Sequence, residues 1–344
     1  MKINVVIACI VIFAIKQVWK MFTHKDIEHR SIFVINCLEE RKLRVSNGEL
    51  LLEEVCEDGN RTLTKMPFQK ILMLFIVGHT TITTPLIDKC KKFNVSVVVV
   101  NLNLRPVFYW SNSAEANYLL RQKQFVLDKN DISIAKCLVR NKIENQLELL
   151  KKTRMKDELT QNAKLICEDI LSKIDFQTDY NSLMGLEGNA SKIFFSAYYQ
   201  KNGWVTRRPR VKCDAINSTL DIGYTILFNY IECFVRMFGF DVYVGVYHRL
   251  WFKRKSLICD LMEPFRCIID NTVRTAFNRK QCSEKDFRNE KGEWRLKFEK
   301  NKDYSKLFFD ALIPYKTEVF KYVQAYYRCF MQNKNIDLYP KFKI

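Results

Sequence analysis

The chain has 344 residues, 48% of them hydrophobic, and 56 lysines and arginines against 38 acids give it a formal charge of +18. That length holds one large or two ordinary domains, and so apolar a composition excludes a disordered chain. The charge sets no fold but bears on partners: polyphosphate comes first, because each neutralised phosphate releases condensed counterions, and an anionic membrane surface is the rival.

Val5 to Ile15 is an apolar run between Lys2 and Lys16, shorter than the ~20 residues that span a bilayer. It has the form of a signal-peptide core, yet no small-x-small cleavage site follows it. Translation from Met21, or an accessory role for the segment, is the preferred explanation. The twelve cysteines are scattered through apolar runs without Cys-x-x-Cys spacing. That pattern gives a structural zinc site no support and suits reduced, buried thiols in a cytoplasmic protein.

Residues 31–106 read as a β-rich domain. Ser31 to Ile35, Ile71 to Val77 and Val95 to Val100 are apolar runs, and Lys42 to Val45 and Glu49 to Leu52 flank Asn47-Gly48, a dipeptide that accepts the positive φ angles of a tight hairpin. Thr84 to Phe93 suits a short amphipathic helix. A boundary falls between Arg105 and Ser113, and residues 113–344 read as helical. Helices are predicted over Asn117–Val126, Ile134–Leu150, Leu165–Ile174, Leu183–Tyr199, Ile216–Phe238, Leu261–Phe277 and Pro314–Met331, with apolar residues at three- and four-residue steps. Lys280 to Lys302 is polar, with a small hairpin expected at Gly292 and Trp294, and is the segment expected to be mobile. The fold class is therefore α+β, with residues 1–30 set apart as atypical.

Three segments carry chemistry. Glu187 sits between Gly185 and Gly188 on or beside the apolar stripe of its helix, where an unpaired carboxylate is costly to desolvate. Each glycine costs ~1 kcal/mol relative to alanine. That cost implies close approach, either of a ligand or of another helix with Glu187 paired to an arginine. His248 ends the apolar, extended-looking run Val242–Tyr247 and enters a loop carrying Arg249, Trp251, Lys253, Arg254 and Lys255. It can be a structural hydrogen-bonded residue or a metal ligand. The loop can be a solvated turn or a nucleic-acid contact, since cations with an aromatic suit a phosphate backbone and an accessible base. Asp260 and Glu263 share a helix face and can form a capping box before Pro264 or offer oxygen ligands. With one imidazole they suit Mn2+ or Mg2+. Lys201, Arg207, Arg208, Arg210 and Lys212, with Asn217 and Tyr224 beyond them, form a further basic segment placed to hold a DNA strand.

Together these segments resemble the CRISPR-associated endonuclease–integrase family of spacer acquisition, the larger subunit of the universal adaptation pair. The likeness runs from about Ser31 to the carboxyl end. It rests on Gly-Leu-Glu187-Gly-Asn-Ala, on Arg-Pro209 through Asp214, Asn217 and Tyr224, and on His248 with Asp260 and Glu263 twelve and fifteen steps later. Arg121-Gln-Lys-Gln124 and Lys142-Ile-Glu-Asn145-Gln146 also look like family positions. The resemblance implies an amino-terminal β-sandwich and a larger all-α catalytic domain. It implies Mg2+ or Mn2+ held by Glu187, His248 and Glu263, with Asp260 supporting catalysis behind them or positioning DNA. It implies transesterification on double-stranded and branched DNA, and a homodimer that joins a small ferredoxin-like companion in a heterohexameric complex. No polymerase-like segment is read, so no fused reverse transcriptase is expected. The alternatives are a non-catalytic basic DNA-binding subunit, indifferent to divalent metal, and a membrane-surface protein that needs residues 1–20.

Overall fold

The computed structural model describes residues 24–37, 41–57, 59–102, 105–111, 117–128, 130–155 and 157–344. The apolar run at Val5–Ile15 and the candidate start at Met21 lie outside them. The chain groups into two compact units. One takes the chain up to Arg121 with Glu232–Phe240 and Ile313–Gln324, and the other takes Gln122–Ile231, Asp241–Leu312 and Ala325–Ile344.

In the first unit a short helix α1 (His24–His29) precedes β1 (Ser31–Cys37), β2 (Arg41–Ser46), β3 (Glu49–Cys56), β4 (Gly59–Pro67) and β5 (Ile71–Gly78). Helix α2 (Thr84–Phe93), β6 (Ser96–Val100) and β7 (Pro106–Trp110) follow. One sheet has the order β1-β5-β6-β7 and the other β2-β3-β4. The β2–β3 hairpin turns where Asn47-Gly48 predicts, with φ of 48° and 79°. β5 is buried along its whole length, as its unbroken apolar run Ile71–Val77 requires of a central strand. It pairs in parallel with β1 and with β6, and only β7 runs antiparallel. Parallel neighbours need a crossover, which α2 supplies between β5 and β6. Leu43, Leu50 and Met66 of the smaller sheet share one core with Leu74, Ile76, Val97 and Val99 of the larger and with Leu86 and Cys90 of α2. The two-sheet, sandwich-like packing thus matches the expected fold class, with a parallel component that strand patterns alone do not show.

The rest of the chain is mostly helical, and most of it falls in the second unit. Helix α3 (Tyr118–Val126) enters it; α4 (Ser133–Lys152), α5 (Glu158–Lys173), α6 (Tyr180–Tyr198) and α7 (Ala215–Met237) come next, then α8 (Ser256–Met262) and α9 (Arg266–Asn278). The hairpin β8 (Phe287–Glu290) and β9 (Glu293–Leu296) precedes α10 (Asn301–Leu312) and α11 (Lys316–Gln332). The predicted single helix from Leu261 is instead α8 and α9 joined by a 3-10 turn at Glu263–Phe265. Pro264 brings no N–H to that turn. The expected hairpin at Gly292 is present. Ser218 Oγ donates to the Trp294 carbonyl (2.7 Å) and Trp294 N–H to the Lys212 carbonyl (2.8 Å), so it is fastened to the loop before α7. The polar run Lys280–Lys302 ends inside the first turn of α10, a helix the sequence reading does not contain. A Cβ on Gly223 of α7 would come within 2.5 Å of Ile269 and 2.6 Å of Phe308, so only glycine permits this approach of α7 to α9 and α10.

The chain's last residues pack on α4. Asn141 exchanges two hydrogen bonds of 2.8 Å with the Phe342 backbone. Asn145 donates to the carbonyls of Phe342 and Pro264, both at 3.0 Å, and accepts from Ile344 N–H at 3.1 Å. One side chain thereby ties the carboxyl-terminal tail to the turn that carries Glu263.

Candidate active site

The segment Val242–Tyr247 is apolar, yet it forms no strand. Its N–H groups are drawn elsewhere. Asp260, fully buried at the centre of α8, accepts from Val246 N (2.6 Å) and Tyr247 N (3.0 Å) on Oδ2 and from His248 N (2.8 Å) on Oδ1. Asp260 Oδ1 also meets His248 Nδ1 at 2.7 Å. The carboxylate therefore pins the loop and holds the imidazole. Because α8 begins at Ser256, Asp260 caps nothing, and the capping-box reading falls. A Cβ on Gly245 would lie 2.5 Å from Asp260 Oδ2, which explains the glycine. The Arg121–Gln124 motif supports the approach to this loop. Arg121 Nε donates to the Gly239 carbonyl (3.2 Å), and Gln124 bonds the Asp241 backbone in both directions and the Val244 carbonyl.

Glu187 lies midway along α6, which Asp179 starts by accepting from Asn181 N and Ser182 N. No atom stands within 4 Å of a Cβ built on Gly185 or Gly188. The glycines make no helix crossing; they leave open space on either side of the acid. Its partner is Lys142 of α4, not an arginine. The Lys142 ammonium hydrogen-bonds Glu187 Oε1 and lies 2.7 Å from Glu263 Oε2. Ser191 Oγ also donates to Glu187 Oε1 at 2.9 Å. Arg266 Nε stands 2.9 Å from Glu263 Oε1. Burial opposes ionisation of Glu263, but Arg266, Lys142 and His248 outweigh it and pull its pKa down to about 2. Burial likewise works against the Lys142 charge, and Glu187 and Glu263 overcome it and raise its pKa. Glu187, Glu263, Lys142 and His248 thus form one electrostatic neighbourhood, with Asp260 behind the imidazole.

Below it lies a second buried network. The Tyr224 hydroxyl donates to Asp270 Oδ1, Tyr199 Oη donates to the Asp270 carbonyl (2.8 Å), and the Arg266 guanidinium covers the Tyr224 ring at 4.6 Å. Burial, only partly offset by Tyr224 and Arg266, lifts the Asp270 carboxyl to about 7.

Two of the expected DNA-contacting residues are therefore inside the protein. Tyr224 is buried against Asp270. Asn217 is wholly buried, bonding Arg207, the Arg208 N–H, the Thr206 carbonyl and Asp214. Arg207 is committed to Asn217 (2.8 Å) and Asp221 (2.5 Å). These three build the basic loop rather than present it, and Trp204 anchors the loop by stacking on Phe195 and Tyr199. Lys201, Arg208 and Arg210 are exposed, and Lys212 is half-buried. Past His248, Arg249 and Lys253 are exposed, beside Trp251 and Phe252 at 73% and 82% exposure. Arg254 folds back onto the Arg249 carbonyl, and Lys255 stands 5.9 Å from the Phe228 ring. Lys142 stands in the sequence only as a family-like position, with no chemical role attached. Its position four residues after Leu138 and three before Asn145, on the buried face of α4, is the signal that marks it.

Among the described residues no three His, Cys, Asp or Glu side chains converge tightly enough to hold an ion as they stand, and the Lys142 ammonium contacts both Glu187 and Glu263. The donor set nevertheless fits a divalent cation. A single positive charge already stands between the two carboxylates. Glu263 Oε2, buried, makes no aligned hydrogen bond, and neither does the buried Tyr247 hydroxyl beside His248. With Nδ1 turned to Asp260, the imidazole presents Nε2, the arrangement that tunes a ligating histidine. Glu187, Glu263 and His248 would hold Mg2+ or Mn2+.

The family model described as CRISPR associated protein Cas1 matches residues 37–309. A CRISPR-associated endonuclease Cas1 of Thermodesulfovibrio yellowstonii is 29% identical over 284 residues, covering 79% of this chain and 89% of that protein. A casposase bound to its integration product superposes with a TM-score of 0.72 at 19% identity, over 89% of this chain and 92% of that one. A chain of a Cas6-RT-Cas1–Cas2 complex gives a TM-score of 0.74 at 20% identity, covering 92% of this chain and 36% of that longer one.

Proposed function

Because this chain belongs to the Cas1 family of CRISPR-associated proteins, we propose that it is a metal-dependent DNA endonuclease and integrase that joins DNA fragments into a CRISPR array. The observation that carries this reading is the pairing of Glu187 and Glu263 about one cation beside the Asp260-held His248. A Mg2+ or Mn2+ ion bound there would supply Lewis-acid stabilisation of charge on the phosphodiester. The chain's own residues do the rest. Asp260 keeps Nε2 of His248 directed away from itself. Arg266 holds Glu263 ionised. Lys201, Arg208, Arg210, Lys212, Arg249 and Lys253 offer positive charge for the backbone of double-stranded or branched DNA, with Arg254 and Lys255 shaping the second loop. In strand transfer a 3′-hydroxyl attacks phosphorus, one P–O bond forms as another breaks, and the proton ends on the leaving 3′-oxygen. Bond energy hardly changes, so positioning supplies much of the catalysis. The same centre hydrolyses DNA when water attacks.

The Cas1-bearing chain that resembles this one is in a complex with Cas2. We assign this chain the same kind of small companion, and a homodimer within a heterohexameric assembly. Among the described residues no helix is long and apolar enough to cross a membrane. The test is strand transfer into a repeat-bearing plasmid with Mn2+ and the companion. Glu187→Ala abolishes joining and leaves DNA affinity within about a factor of two, because the acid touches chemistry rather than the basic surface. Joining by that variant at the wild-type rate removes Glu187 from the mechanism, joining by the wild type in EDTA removes the metal, and DNA binding without any joining leaves only the basic DNA-binding subunit.

A further inference from the structure

Facing carboxylates repel, and burial sharpens the repulsion. Glu187 and Glu263 are held together by one side chain from a different helix. Lys142 is only 12% exposed, and its neighbours on α4, Asn141, Ile143 and Asn145, are buried and fixed in place. The helix cannot move away, but the four-carbon stem of a lysine can carry its ammonium elsewhere. Each carboxylate also keeps a partner of its own: Ser191 Oγ at Glu187 and Arg266 at Glu263. Withdrawal of the ammonium would leave the pair one positive charge poorer but not stranded. The fit of Lys142 is itself a compromise. It hydrogen-bonds Glu187, yet its contact with Glu263 Oε2 lacks hydrogen-bond alignment. One ammonium spans two oxygens that a small divalent ion could bind from a single point.

Building on the metal-dependent reading above, we propose that Lys142 is the site's resident counter-cation. Its ammonium fills the space between Glu187 and Glu263 until a divalent ion displaces it, so Lys142 sets the ion concentration at which the site loads. The affinity measured for the ion is then the intrinsic affinity reduced by the fraction of molecules whose lysine has withdrawn. If that fraction is about a tenth or less, removing the ammonium tightens binding about tenfold or more. A lysine that supports the site only as a structural strut predicts the reverse, because its loss would loosen the carboxylates.

The test is calorimetric titration of Mn2+ into the wild-type protein, Lys142→Met, Lys142→Arg and Glu187→Gln. Lys142→Met binds Mn2+ about tenfold more tightly and shows a larger Mn2+-induced rise in melting temperature. Lys142→Arg, which keeps the charge, binds no more tightly than the wild type, and Glu187→Gln binds more weakly. Wild-type binding with Lys142→Met unchanged or weaker overturns the proposal and leaves the metal site standing. No Mn2+ binding by any of the four overturns both. A Lys142→Met protein that folds only with Mn2+ supports it. Should that variant not fold at all, the wild type decides through reductive methylation of Lys142 read by peptide mass spectrometry. Labelling rises several-fold with saturating Mg2+ if the ammonium is displaced, and unchanged or reduced labelling overturns the idea.

Discussion

Asp260→Asn is the substitution that asks most of the site. Its volume is conserved, so packing is spared, but one oxygen becomes a donor. Asp260 receives Val246 N and Tyr247 N on one oxygen and His248 N and Nδ1 on the other. If the amide nitrogen takes the Oδ2 position, two buried backbone donors lose their acceptor. If it takes the Oδ1 position, His248 N loses its acceptor, and Nδ1 must become one, which moves the ring proton to Nε2 and removes the lone pair a metal would use. Each stranded donor costs about 1–3 kcal/mol, so urea unfolding should show a loss of about 1–6 kcal/mol depending on which orientation the amide takes, a large part of a domain's ~5–15 kcal/mol stability. Loss of an imidazole-orienting carboxylate typically costs about 10–100-fold in metal affinity, readable by Mn2+ calorimetry at a temperature where the variant stays folded. A variant within about 1 kcal/mol of wild type, the range of a neutral surface change, and with unaltered Mn2+ affinity would refute the role given to Asp260.

Other outcomes follow from the same geometry. Gly245→Ala drives a methyl group toward Asp260 Oδ2 and the Ser256 backbone. It should cost about 1–3 kcal/mol in urea unfolding, as overpacking does. Asp270, whose folded pKa is raised from 3.8 to about 7 by burial, keeps a proton that the unfolded chain releases. Its contribution is complete below about pH 4 and is lost as pH rises through 7. The stability difference between wild type and Asp270→Asn should therefore shift against the wild type across that window, and parallel pH profiles would refute it. Replacing Trp251 and Phe252 with alanine should weaken single-stranded DNA binding by about 1–3 kcal/mol for each lost base stack while Mn2+ affinity stays constant. Fluorescence anisotropy and calorimetry report the two.

Much of this architecture was readable from pattern. Asn47-Gly48 marked a hairpin, the apolar run Ile71–Val77 marked a central strand, and three- and four-residue steps marked α3, α4, α6 and α7 within a few residues, while α5 begins seven residues before the expected Leu165. Side-chain capture of backbone groups was not readable. Val242–Tyr247 looks extended because it is apolar, but its last N–H groups belong to an acid that lies fourteen residues beyond Val246. Asn217 and Tyr224 were misjudged for a different reason, since polar atoms suggested a surface. With Leu220, Leu227 and Ile231 they fall on one helical stripe of α7, and that spacing placed them in the core. For Lys142 the helix face was legible. The partner acids were not, because both come from other helices and nothing local relates them. Arg207 shows the limit of charge counting: two of its basic neighbours are solvent-facing, while it is consumed in shaping the loop they occupy.

The clasp at Asn145 makes residues Phe342–Ile344 part of the helical unit's architecture. Cutting the chain after Lys341 would strip two of that asparagine's hydrogen bonds and both of Asn141's bonds to the Phe342 backbone, and uncover Phe265, against which Phe342 rests at 4.5 Å. Such a truncation far along the sequence would loosen the Pro264 bend, so anything fused after Ile344 belongs on a spacer long enough to let Phe342–Ile344 seat.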